Sequence, residues 1–268
     1  MPKGFRREDI EILPEIAKRV KENICMIIAR IDRRLINVDV QELVARASSL
    51  HAMNAISKGT GFLISSGYVV TAYHVVKNAY KIESLTPRGN WINLKLTRYS
   101  ELHDIALLEP EVKWSKGINV EMEEFHYPEK GELVFTLGYP LMYYNPEPLL
   151  SVGFLSNIQK ADNIKKLIVN AAFNVGNSGG PLLNLQGTLL GVVVAKSIFP
   201  DPLMRTIIQA LERPNIEIVY STIKLPGGVT EEITLGKIIW ILVRWVLNNI
   251  QTNIGEAISI DHLIPLLR

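Results

Sequence analysis

Gly176-Asn177-Ser178-Gly179-Gly180-Pro181 sets three glycines around a single serine. Glycine is favoured where backbone must bend sharply or come close to a ligand, because it has no Cβ to clash. A turn of this kind can aim the N–H groups of Gly176 and Ser178 at one point. Two such donors would form an oxyanion hole for a tetrahedral intermediate while the Ser178 hydroxyl attacks a carbonyl. Taken alone, the same letters also fit a glycine-rich hairpin turn.

A serine hydroxyl is a weak nucleophile at neutral pH and needs a base beside it. Upstream, Thr71-Ala72-Tyr73-His74 ends an apolar run on a histidine, and His103-Asp104-Ile105-Ala106-Leu107-Leu108 sets an acid at the start of a buried strand. Alone, His74 reads as an ordinary strand-end histidine and Asp104 as a strand cap. Together with Ser178 they give the order His, Asp, Ser, with the first two in one group of strands and the third in another. This suits a triad in which Ser178 attacks, His74 takes its proton and Asp104 holds the imidazole tautomer.

Around these motifs the chain is written in short β-rich runs broken by Gly, Pro and Asn. One set covers residues 61–64, 68–72, 92–97, 105–109 and 133–137. A second covers 150–158, 166–171, 181–185 and 189–196, and 255–260 returns to strand. Two β-barrels account for both sets. Helical periodicity predicts a leading helix over 8–21, a buried strand over 25–31 and a helix over 38–50. Two more helices are predicted over 201–212 and 231–250. The expected class is all-β, a double barrel with added helices at the N-terminus and in an insertion over 197–253. Barrel 1 is expected over about 22–125 and barrel 2 over about 130–268. Apolar stripes at Ile207, Ile208 and Leu211, and at Ile238, Ile239, Leu242, Trp245 and Val246, predict an ordered insertion.

The 268 residues include 29 basic and 27 acidic side chains and one cysteine. Near-balanced charge without a basic, aromatic-interleaved stripe argues against nucleic acid as a partner. Five scattered histidines, with no HExxH and no CxxC, give no metal-ligand spacing, and no cofactor is expected. A lone Cys25 cannot form an intrachain disulfide, and the charged start lacks the apolar core of a secretory signal, so the expected location is cytoplasmic.

TAYHVV, HDIALL and NVGNSGGPLLN resemble the signatures of chymotrypsin-like (trypsin-like) serine proteases of the HtrA/Deg branch. The stretches GTGFLISSGYVVTAYHVV, TLGYP, LLSVGFLSNI and IGEAISID add weaker matches over about 22–196 and 254–268. The resemblance implies a chymotrypsin-like double β-barrel with its active site in the cleft between barrels. It also implies endopeptidase cleavage of exposed segments in unfolded or damaged polypeptides. It places the substrate pocket between Ala172 and Phe173 on one side and Val192, Val193 and Val194 on the other, with Gly255 closing it. All are uncharged, so cleavage after Arg or Lys is disfavoured. A following PDZ domain, usual in that branch, is not expected before Arg268, and the 197–253 insertion has no counterpart to inherit a role from.

The chief alternative is a non-catalytic holdase or scaffold of the same fold. A cysteine protease is disfavoured because Cys25 sits inside an apolar run. Gly176 to Gly180 fits G-x-S-x-G, but an α/β esterase needs a strand-to-helix turn and the order Ser, Asp, His. Residues 233–250 barely reach a membrane span, and a crossing there would divide the second barrel. A homo-oligomer contact or peripheral membrane contact through that segment is left open.

Overall fold

The computed structural model describes residues 11–31, 55–120, 128–140, 147–171, 173–196, 219–224, 230–234, 239, 242 and 254–268. Leu13, Ile16 and Val20, spaced three and four apart among charges, form the buried face of helix α1 (Leu13–Lys21), which starts at a proline in its first turn. The expected helix over 38–50 and the one over 201–212 lie outside the described residues.

Six antiparallel strands then close the first barrel: β1 (Ile24–Ile31), β2 (Ala55–Leu63), β3 (Val69–Ala72), β4 (Ala79–Leu85), β5 (Trp91–Ser100) and β6 (Ile105–Pro110). They are hydrogen-bonded in the order β1-β2-β3-β6-β5-β4. A one-turn helix, α2 (Tyr73–Val76), follows β3. Strand β4 is absent from the sequence reading. Its only buried side chains are Ile82 and Ser84, while Lys81 and Glu83 between them pair with each other and with Arg30 outside the barrel. One buried hydrophobic residue between Lys81 and Glu83 leaves too little two-residue periodicity to see.

The second barrel contains β7 (Leu133–Gly138), β8 (Leu149–Ala161), β9 (Ile164–Val169), β10 (Pro181–Asn184) and β11 (Leu189–Lys196). After β12 (Val219–Lys224) and β13 (Thr230–Thr234), β14 (Gly255–Ser259) completes it in the order β10-β11-β14-β9-β8-β7. A 3₁₀ turn (Ile260–His262) and a terminal one-turn helix, α3 (Ile264–Leu267), end the chain. The described residues are thus mostly strand, and twelve of their strands form two closed six-stranded barrels.

Strands β7, β10, β11 and β14 of the second barrel are buried on both faces, and the two faces serve different cores. Val134, Leu182, Leu190, Val193 and Ala257 point into that barrel with Leu155, Leu167, Val169 and Phe173. Their chain neighbours Phe135, Leu183, Leu189, Val192, Val194 and Ile258 point outward and join the large core containing the first barrel and α1. The period of two therefore sorts each strand between barrel interior and inter-barrel seam. At about 25 cal/mol per Å² of apolar surface removed from water, such a doubly buried strand contributes more than a half-exposed one of the same length.

Residues Ser197–Thr252 form a separate compact unit. The expected helix over 231–250 needs correction at its start, because β12 and β13 pair as a two-stranded antiparallel sheet and Glu231–Thr234 are strand, whereas Ile239 and Leu242 further along are helical. The β-branched residues Thr222, Ile223, Thr230, Ile233 and Thr234 favour strand, and Pro226-Gly227-Gly228 supplies a turn signal between the runs. No helix among the described residues is long and apolar enough to cross a membrane.

Candidate active site

Strand β3 delivers Thr71 and Ala72 buried, and the turn of α2 lifts His74 to the surface with about half of its side chain exposed. Asp104 lies in the turn between β5 and β6 with φ of 50°, a left-handed conformation that Asp and Asn tolerate better than most residues. That backbone lets one carboxylate grip His74 twice. Asp104 Oδ1 accepts the His74 backbone N–H at 2.7 Å, and Oδ2 lies 2.6 Å from Nδ1. The Tyr73 N–H donates to the Asp104 carbonyl at 3.1 Å, so the two turns are locked by three contacts. Tyr73 also stacks on Tyr99 of β5, with ring centroids 4.3 Å apart.

The nucleophile turn comes from the other barrel. Asn177 N–H closes on the Asn174 carbonyl at 2.9 Å, with Gly176 at φ 100° in the third position, as a type II turn requires. Gly179, at φ 89°, lies so close to the first barrel that a Cβ would come within 2.1 Å of the Thr60 carbonyl oxygen and 2.2 Å of Thr71 Oγ1. No larger residue fits there. A Cβ on Gly59 would meet both Val75, next to His74, and the Ser178 carbonyl oxygen at 3.1 Å. The serine turn and the histidine turn are thus packed together across the seam.

The Ser178 hydroxyl donates to the Val194 carbonyl at 3.2 Å. Val194 is the extra residue of a β-bulge, since Val193 pairs with Ala257 and Ala195 with Glu256. A bulge leaves its residue outside the ladder and re-aims it, and this one turns a carbonyl toward the serine.

Of the expected pocket residues, Ala172 lies outside the described residues. Phe173 is 3% exposed and lies against Gly255, whose added Cβ would fall 2.1 Å from the ring. Val193 shares the barrel interior with Phe173, while the side chains of Val192 and Val194 face the seam, so Val194 reaches the site through its backbone. Cys25 is fully buried, and loss of water pushes its thiol pKa far up, which removes it as a nucleophile. Among the described residues no group of three or more His, Cys, Asp and Glu side chains could hold a metal ion.

The sequence reading missed Thr60, a fully buried residue of β2. Its hydroxyl donates to the Gly176 carbonyl at 2.7 Å and accepts the Tyr139 N–H at 2.9 Å. Its backbone N–H donates to the Ser178 carbonyl at 2.8 Å, and its carbonyl accepts the Thr71 hydroxyl at 2.7 Å. The only local signal was a polar side chain inside an otherwise apolar and glycine-rich strand end.

The model of the trypsin-like peptidase domain matches residues 59–192, half of the chain. The chain belongs to the trypsin-like peptidase family. Its relatives include the mitochondrial serine protease HTRA2 of Bos taurus, 30% identical over an alignment 155 positions long that covers 53% of this chain and 32% of that protein. A DegP-like protein of Chlamydia muridarum is 31% identical over an alignment 147 positions long that covers 52% of this chain and 28% of its own. This trypsin-like chain therefore matches about a third of the length of such relatives. Among solved structures, the active form of the Rv3671c protease from M. tuberculosis matches with a TM-score of 0.55 at 20% identity, over 70% of this chain and 76% of that one. That likeness shows the shared double-barrel fold.

Proposed function

We propose that this trypsin-like chain is a serine endopeptidase that cleaves exposed segments of unfolded or damaged polypeptides. The observation that carries the reading is the double grip of Asp104 on His74, beside a glycine turn that presents Ser178. A carboxylate on Nδ1 keeps the proton there and leaves Nε2 free to act as base. Rotation about χ1 swings the Ser178 hydroxyl from the Val194 carbonyl to His74. His74 takes the hydroxyl proton as Oγ bonds to the substrate carbonyl carbon, and the oxygen that becomes negative is met by the Gly176 and Ser178 N–H groups. Collapse expels the amine, which receives that proton from His74, and leaves an acyl-enzyme. A water deprotonated by His74 then releases the acid.

Unfolded polypeptide as substrate is inferred from the HtrA- and DegP-like relatives. Phe173 and Gly255 support an uncharged pocket suited to small or medium aliphatic side chains on the acyl side of the cleaved bond (P1). The parked Ser178 hydroxyl gives the holdase reading its one specific support. Incubation with casein, with and without a serine-directed fluorophosphonate, separates the two. The endopeptidase cuts casein, is labelled once per chain and loses both properties on Ser178→Ala. A wild-type protein that binds casein without cutting it and takes no label is a holdase.

A further inference from the structure

The serine turn is suspended between two barrels. On the second-barrel side, Gly179 N–H donates to the Val193 carbonyl and Val193 N–H to the Gly180 carbonyl, at 2.6 and 2.8 Å. On the first-barrel side, both contacts come from one residue. Thr60 holds the carbonyl of Gly176 through its hydroxyl and the carbonyl of Ser178 through its backbone N–H. These are the two residues whose own N–H groups would face a developing oxyanion. Gly176 has no side chain, and glycine visits either sign of φ at little cost, so the turn needs an external restraint to keep one orientation. The same Thr60 accepts the Thr71 hydroxyl, three residues before His74 in the chain, and takes up the Tyr139 N–H at the end of β7.

We propose that Thr60 is a positioning residue that registers the serine turn against the histidine-bearing strand across the barrel seam; the role rests on the endopeptidase reading. It touches no reacting atom. It acts by holding Gly176 and Ser178 where their amides converge on the oxyanion, an interaction that strengthens as charge develops and so belongs to kcat more than to KM. A merely structural Thr60 would affect how much protein is folded and leave turnover per folded active site unchanged.

The Thr60→Val variant keeps shape and backbone N–H but removes the hydroxyl, and Thr60→Ser restores it. Active sites are first counted with a fluorophosphonate, and kcat and KM per titrated site are then measured on a peptide substrate well below the melting temperature. Since the oxyanion donors are displaced but not deleted, kcat of Thr60→Val is expected to fall about 10- to 100-fold, below the loss for deleting a donor outright. KM is expected to stay within about twofold, and Thr60→Ser to recover most of the rate. The fluorophosphonate labelling rate is expected to fall in parallel. If Thr60→Val does not fold, Thr60→Cys supplies a weaker, longer donor, and an intermediate kcat is expected. Wild-type kcat per titrated site in Thr60→Val, or in Thr60→Cys where Val fails, overturns the positioning role while leaving the peptidase intact. A wild-type protein that neither titrates nor cleaves overturns the endopeptidase reading itself, and this role with it.

Discussion

Replacing Asp104 by Asn tests the proposed chemistry with little change of shape. His74 turns two donors toward Asp104, the backbone N–H at 2.7 Å and ring Nδ1 at 2.6 Å, and a carboxylate supplies an acceptor for each. An asparagine has one acceptor. If its oxygen stays on the backbone N–H, its NH₂ faces Nδ1, which must then accept, and the ring proton moves to Nε2, where it blocks base catalysis. If the amide flips, its NH₂ opposes the backbone N–H, and an unmet donor costs about 1–3 kcal/mol. The inactive tautomer is therefore favoured by about 5- to 160-fold, from that cost at 1.36 kcal/mol per decade. Loss of the negative charge beside the imidazolium formed during attack adds to this, for an expected total near the 10⁴-fold seen when the equivalent aspartate is changed in a well-studied serine protease. That total is about 5.5 kcal/mol of transition-state stabilisation. Folding is expected to survive, because Asn tolerates the φ of 50° at this position. Peptide hydrolysis per fluorophosphonate-titrated site, with thermal melting alongside, measures both quantities. A loss under about tenfold with intact folding would refute Asp104 as the orienting acid.

Two further outcomes follow from the pocket and from the C-terminal turn. Because Phe173 is buried against Gly255, wild-type cleavage is expected to favour Ala or Val at P1, and Phe173→Ala to shift preference toward Leu or Phe; peptide-library profiling by mass spectrometry checks both, and dominant Arg, Lys, Asp or Glu would show that the pocket lies elsewhere. His262 accepts the Lys165 N–H at 2.8 Å through Nε2 and stacks on His103, whose ring lies 4.1 Å away, with the Lys165 ammonium and the Asp261 carboxylate beside it. Burial first, then His103 and Lys165, lower its pKa against the opposing pull of Asp261. Its neutral form therefore stabilises the fold fully above the ordinary value near 6.5, and that contribution is lost as pH falls from there through the lowered folded value. Thermal melts between pH 7.5 and 5 are expected to show a smaller drop for His262→Gln, whose oxygen can still accept the Lys165 N–H, and equal drops would rule this linkage out.

Much of the fold is legible in the sequence because two-residue alternation and turn residues act locally. β3, β6, β7, β10 and β11 carry nearly unbroken apolar runs beside glycine, proline or asparagine, and a strand buried on both faces has no other way to be written. Likewise, His74, Asp104 and Ser178 stand out because nucleophile, base and orienting acid demand particular residue types in short, glycine-marked settings. Where the local signal is weak, the reading failed. β4 has one buried hydrophobic residue among charges, and the pairing of β12 with β13 won over a helical period that ran into Glu231–Thr234.

What only the tertiary structure decided concerns partners far apart in the chain. Thr60 meets Gly176 over 116 positions, and nothing in a threonine flanked by glycines tells which carbonyl it will hold. The bulge that turns the Val194 carbonyl to Ser178 arises from the register between β11 and β14, whose intervening chain belongs to another unit. Phe173 could have been exposed or buried, and its contact with Gly255 chose the second. Residue type and local periodicity specify what a segment can become on its own. Hydrogen-bond partners across the seam depend on how two closed barrels pack, a geometry set by many side chains together and encoded at no single position.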